Sequence, residues 1–171
     1  MAKAFLLAFT IAYCMGCSQS ANRQDLPGAV LDKINTEAKE WVAVFCQFKS
    51  TAFNLTDTFR MRRSPDTATK AELDSFYAIY KPLIRFSPDG HFFADIYSYQ
   101  LNLEKDGDQF VATPEIDQQV ELFDTKKNIT YGLVSGGTEN WIDEALWLDD
   151  NNLILAGITK DSLANRHPVI L

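Results

Sequence analysis

A chain of 171 residues with 46% hydrophobic side chains is long enough and apolar enough to bury the core of one ordinary domain. Acidic residues outnumber basic ones 23 to 16, a net charge of −7, which leaves no broad basic face for a nucleic-acid backbone. Nucleic acid is therefore excluded as an expected partner.

The first informative stretch is residues 1–17. Lys3 gives a positive start, Ala4 to Tyr13 is an unbroken apolar or small run, and Cys14-Met15-Gly16-Cys17 closes it. This is the layout of a secretory signal. The run is about half of what a helix needs to cross a bilayer, so a permanent transmembrane anchor is not expected. Gly16-Cys17 resembles the lipobox of bacterial lipoprotein signals, whose cysteine receives lipid and becomes the mature N-terminus; Cys14 departs from the aliphatic residue usual in that family. The alternatives are a plain signal peptide or a buried N-terminal strand. The resemblance implies lipidation at Cys17, a polar tether over residues 17–26 and a lipid-anchored protein of the cell envelope. The absence of Asp at position 18 points to the outer rather than the inner membrane. It also leaves Cys46 as the one mature thiol, expected as a core residue on a helix face.

One domain is expected over residues 27–171, helical over 27–81 and β-rich over 83–171. Val30, Ile34, Ala38, Trp41, Phe45 and Phe48 recur at spacings of three and four, which predicts an amphipathic helix from Pro27 to about Lys49. Asn54 to Met61 reads as a short helix or a strand. Thr69-Lys70-Ala71-Glu72 has capping-box spacing before a second helix that aligns Leu73, Phe76, Tyr77 and Tyr80 and ends at Pro82. The pattern then turns extended. Strands are expected at Leu83–Phe86, Phe92–Leu103, Gln109–Ala112, Val120–Phe123, Thr130–Val134, Ile142–Leu148 and Leu153–Ile158, with turn-forming residues between them. The expected fold is α+β, two N-terminal helices packed on an antiparallel meander of about six to seven strands.

Charge divides the same way. Residues 17–90 hold ten basic and nine acidic side chains, whereas residues 91–171 hold five and fourteen. An acidic sheet face is thus a candidate surface for a cationic or polar partner.

Phe86-Ser87-Pro88-Asp89-Gly90 and Trp147-Leu148-Asp149-Asp150-Asn151 share an order of aromatic, two residues, Asp and turn residue, each followed by an apolar strand. Ser-Pro-Asp-Gly before such a strand resembles the hairpins of WD40-like and TolB-like β-propellers, so a propeller fragment is the alternative fold. The two copies lie 61 residues apart, longer than common blades. The strand and acid pattern of Asp95 to Tyr99, Asp117 to Leu122 and Trp147 to Asp150 also resembles small lipoproteins of Bacteroidetes-type bacteria, a resemblance that implies no activity.

Catalytic signatures are sparse. His91, His167 and one mature cysteine cannot readily build a zinc site, and neither a nucleophile elbow nor a phosphate-cradling glycine loop occurs. No cofactor or metal is expected. The candidate binding residues are Trp141, after a glycine-rich turn, Tyr97 and Tyr99, read on one strand face with Phe93, and the carboxylates Asp95 and Asp143. The expected function is a membrane-tethered binding or assembly module with a protein or glycan partner. The rival is an envelope hydrolase that uses Asp95 and Asp143.

Overall fold

The computed structural model describes residues 12–13, 27–45, 54–55, 62–63, 67–107 and 109–171. Cys14, Cys17, Cys46 and the proposed tether lie outside the described residues. The fold is mixed α+β: short helices accompany several antiparallel sheets, and the described residues form no propeller blade ring. The chain divides into two compact units, Met1–Arg60 with Asp143–Leu171, and Met61–Ile142.

In the first unit, α1 (Gly28–Glu37) and α2 (Lys39–Val44) occupy the stretch predicted as one helix. The ladder breaks at Ala38, where φ is −107° and ψ is 39°. Just before it the Thr36 hydroxyl donates 2.6 Å back to the Asp32 carbonyl, a competing bond that bends helices. The apolar stripe survives the break. Ile34, Ala38 and Trp41 are buried against Leu146, Ile154, Ala156 and Ile170, and the Trp41 and Phe45 rings meet edge-on at 5.3 Å.

The strands beneath are β1 (Ala12–Tyr13), β2 (Asn54–Leu55), β10 (Asn140–Trp147, whose residues before Asp143 belong to the second unit), β11 (Leu153–Lys160) and β12 (Arg166–Ile170), in the sheet order β10-β11-β12-β1-β2. Among the described residues β1 pairs with Val169 and Ile170 of β12, and Pro168 pairs with Ile158 of β11. Ala12 and Tyr13, within the stretch read as a secretory signal, form the strand between β12 and β2.

The second unit contains α3 (Lys70–Tyr80), started by the predicted capping box. The Thr69 N–H donates to Glu72 Oε2 at 2.7 Å and the Glu72 N–H donates back to Thr69 Oγ1 at 3.3 Å. Leu73, Phe76, Tyr77 and Tyr80 pack on buried Ile84, Phe93 and Phe123, which is the side the spacing predicts. The sheet beneath comprises β3 (Arg62–Arg63), β4 (Arg85–Phe86), β5 (Phe92–Asp95), β8 (Gln118–Asp124) and β9 (Ile129–Gly136), in the order β3-β9-β8-β5-β4.

Two expectations are corrected here. The long strand Phe92–Leu103 is two strands, because Asp95 folds its side chain onto the backbone that follows: Oδ1 accepts the Tyr97 and Ser98 N–H groups at 3.0 and 2.9 Å. The chain turns, and β6 (Leu101–Asp106) with β7 (Gln109–Pro114) forms a separate hairpin. The succession is consequently not a simple meander, since β5 pairs with β8 across this excursion. The hairpin is rooted on α3 through Tyr80, whose hydroxyl donates to the Leu101 carbonyl at 2.9 Å.

Gln118 closes the same region from inside. Its side chain is 2% exposed; Nε2 donates to the Ile142 carbonyl at 2.7 Å and Oε1 accepts the Ile142 N–H at 2.7 Å, while Nε2 also lies within 3.1 Å of the Ile96 carbonyl and 2.9 Å of Gln100 Oε1. At Gly136 any Cβ would stand 2.5 Å from the Asn140 carbonyl oxygen, so only glycine permits this tight return.

Candidate functional site

Several aspartates resolve first into turns. Asp89 Oδ1 accepts from the Ser87 hydroxyl and the His91 N–H at 2.7 and 2.9 Å, beside Gly90 at φ +69°. Asp149 Oδ1 takes the Asn151 and Asn152 N–H groups at 2.8 and 2.9 Å, which realises the second copy of the hairpin phrase. That copy needs no left-handed residue, because Asn151 is not among the positive-φ positions.

Asp124, fully buried, takes the Lys126 and Lys127 N–H groups at 3.0 and 2.9 Å, the Lys127 ammonium at 2.5 Å and the His91 ring at 3.0 Å. Burial opposes its ionisation, but Lys127 and His91 outweigh burial and hold the carboxyl below its ordinary value. Asp161 repeats the device at the β11–β12 turn with Leu163, Asn165 and His167. Its hydrogen bonds, those from the Asn165 and His167 side chains foremost, hold its carboxyl well below the usual carboxylate range. Both histidines thus lie against turn aspartates. Asp89, Asp124, Asp149 and Asp161 thus serve as structural acceptors in turns.

A cleft of about 350 Å³ lies within the second unit, between α3 and the face of β5, β8 and β9. Its wall is aromatic: Phe76 stacks on Phe93 at 5.8 Å and Phe93 on Phe123 at 5.0 Å. Glu72, Asp95 and Glu121 also line it, with Ser98 and Thr130, and among the described residues no lysine, arginine or histidine does. The register accounts for the grouping. Phe93 is opposite Phe123 and Asp95 is opposite Glu121 in the β5–β8 ladder, so alternation puts both pairs on one face.

Two of these carboxylates are held firmly. Glu72 Oε2 accepts from the Thr69 N–H and hydroxyl at 2.7 and 2.8 Å, which lowers its pKa. Asp95 is 5% exposed, with Oδ1 on two backbone amides and Oδ2 on the Ser98 hydroxyl. Both Asp95 oxygens are therefore engaged. Glu121 Oε1 accepts from Gln119 Nε2 at 2.8 Å.

Of the residues selected from the sequence, Asp95 reaches the cleft. Tyr97 and Tyr99 sit in the turn after β5 rather than on a strand face with Phe93, and Tyr99 is 56% exposed. Trp141 is half-buried on β10. Asp143 belongs to the first unit, where burial, then Glu144, push its carboxyl up to about 6 against the opposing pull of Arg166. Glu72 and Glu121 were missed. A signal for them existed: Phe93-x-Asp95 and Glu121-x-Phe123 are mirror-image alternations that coincide on one face once the strands pair antiparallel.

No helix among the described residues is long and apolar enough to cross a membrane. Among those residues no group of three His, Cys, Asp or Glu side chains is arranged to hold a metal ion. No protein-family model, no curated protein and no solved structure significantly matches the chain.

Proposed function

We propose that this chain is a binding module of a bacterial cell envelope, lipid-anchored through Cys17, on the outer membrane rather than the inner, with a protein or glycan partner. Its ligand site is the cleft between α3 and the β5–β8–β9 face. In this reading helices laid on antiparallel sheet are a rigid scaffold rather than a propeller blade. The observation that carries the binding role is the cleft itself, an aromatic wall beside carboxylates that are already oriented by Thr69, Ser98 and backbone amides. Concave sites with an apolar lining and a few convergent polar groups are where ligands are recognised.

The anchoring half rests on Gly16-Cys17 at the end of the apolar run. Intact mass spectrometry of the membrane fraction checks it: the native chain is expected to carry a lipid-sized mass increment that Cys17→Ser abolishes. Equal masses for the two would remove the anchor and the envelope assignment with it. The hydrolase alternative draws only on carboxylates, and the engagement of both Asp95 oxygens weighs against it.

A further inference from the structure

We infer that the chain pairs with a second copy of itself through β7, whose outer edge joins the same edge of the other copy antiparallel and turns two hairpins into one four-stranded sheet. None of the β7 residues lines the cleft, and the pairing does not depend on the lipid anchor.

The hydrogen-bond phase shows which backbone groups β7 offers. The Glu115 N–H donates to the Gln100 carbonyl at 2.7 Å, so these two residues are a bonded pair at the base of the hairpin. Bonded and non-bonded pairs alternate along the unbroken register, which makes Asn102 with Thr113, Glu104 with Val111 and Asp106 with Gln109 the bonded pairs. Phe110 and Ala112 therefore turn both N–H and C=O away from β6. Pro114, which has no N–H to offer, falls in the same outward set. On the other side of the ribbon the equivalent groups are held by α3: the Tyr80 hydroxyl donates to the Leu101 carbonyl at 2.9 Å and accepts the Leu103 N–H at 3.4 Å. Among the described residues β7 pairs with β6 alone, so its outer edge stays open.

That edge is undefended. Sheet edges are commonly blunted by charge, proline or a bulge. Gln109 to Thr113 holds no charged residue in a chain of net charge −7, and every residue of β7 is exposed, Phe110 and Val111 by 47% and 53%. Two acidic copies meet at least electrostatic cost on an uncharged strand. Centred on Val111, the pairing lets Phe110 and Ala112 of each copy exchange both backbone bonds with Ala112 and Phe110 of the other. Centred on Ala112, it sets the Phe110 carbonyl against Pro114, which cannot donate. The first register also places each bulky Phe110 beside a small Ala112. Glu104, opposite Val111, then lies three strand spacings, about 14 Å, from its copy, beyond the screening length of about 8 Å. The two-fold pairing consumes β7 in both copies and Tyr80 covers β6, so assembly stops at two.

Disulfide trapping tests the register. In the full chain, in detergent, Cys14, Cys17 and Cys46 are replaced by Ser, and either Val111→Cys or Thr113→Cys is added. At a two-fold axis the Val111 Cα atoms stand about 4.5 Å apart, within the span of a disulfide, whereas the two Thr113 positions are about 14 Å apart. Under mild diamide oxidation Val111→Cys should form the covalent dimer at least about tenfold faster than Thr113→Cys. Sedimentation of the chain without either added cysteine should show a dimer that grows with concentration, since one short strand pair buries less than a standard interface. Ala112→Pro, which removes an outward N–H and leaves the β6 ladder intact, should abolish that dimer.

Equal trapping at positions 111 and 113, or a chain that is monomeric at every concentration up to millimolar, overturns the inference. So does a thiol at position 111 that, when the oxidation is repeated in a cell lysate, is trapped by another protein in preference to a second copy, because the edge then serves a foreign strand.

Discussion

The two units close their interiors by different chemistry. In the first, Ile34, Ala38 and Trp41 meet Leu146, Ile154, Ala156 and Ile170, a largely aliphatic contact in which shape and volume are what matter. In the second, α3 meets its sheet through rings, and polar side chains such as Gln118 and Asp124 are buried among the strands. An aliphatic interface can close completely. Stacked rings and buried hydrogen-bonding groups impose directions, and the second unit holds the cleft between α3 and its sheet.

The sharpest way to break this comparison is to conserve volume while removing polarity. Gln118→Met strands the Ile142 N–H and the Ile96 carbonyl, and chemical denaturation should show a loss of about 3 kcal/mol. Ile34→Met in the first unit, similarly conservative in size, should cost less than about 1.5 kcal/mol. Equal losses would erase the distinction between the two interiors.

A smaller effect belongs to Asp143. Its folded pKa of about 6 lies above the ordinary carboxyl value, so folding favours the protonated form. The stabilisation is complete below about pH 4 and is lost as pH rises through 6. Asp143→Asn should therefore raise stability at pH 8 by roughly 1–2 kcal/mol and change little at pH 4. Urea titrations at the two pH values decide it, and a variant that is equally stabilised at both would show that charge is not the cause.

The smallest effect concerns helix starts. α3 has a reciprocal cap and α1 has no side-chain cap, so Thr69→Ala should cost about 1 kcal/mol in the melting profile. No change would mean that packing of the rings alone orders the helix.

What could be read from the sequence was local. Thr69 and Glu72 signal a helix start at fixed spacing, Ile34, Ala38 and Trp41 repeat with the helical period, and Ser87 to Gly90 carries its own turn chemistry. The pairing of β5 with β8 was hidden, because it depends on a chain reversal created by Asp95 and on strands separated by an intervening hairpin. For the same reason the site was half-visible: Asp95 stood out as an acid beside aromatics, whereas Glu121 gains meaning only from the residue it faces. Two aspartates of the acidic half were illegible in another way. Asp124 and Asp161 count as surface charge in a composition, yet in the fold they are acceptors for amides and imidazoles.

The β6–β7 hairpin offers a practical handle. It leaves the sheet after β5 and returns before β8, its second strand is solvent-exposed throughout, and Gly107 sits at its tip with φ +62°. Exposed loop tips tolerate insertions best. An epitope or fluorophore spliced at Gly107 would therefore report the whereabouts of the protein in living cells, with the N-terminal sequence and the cleft both unaltered.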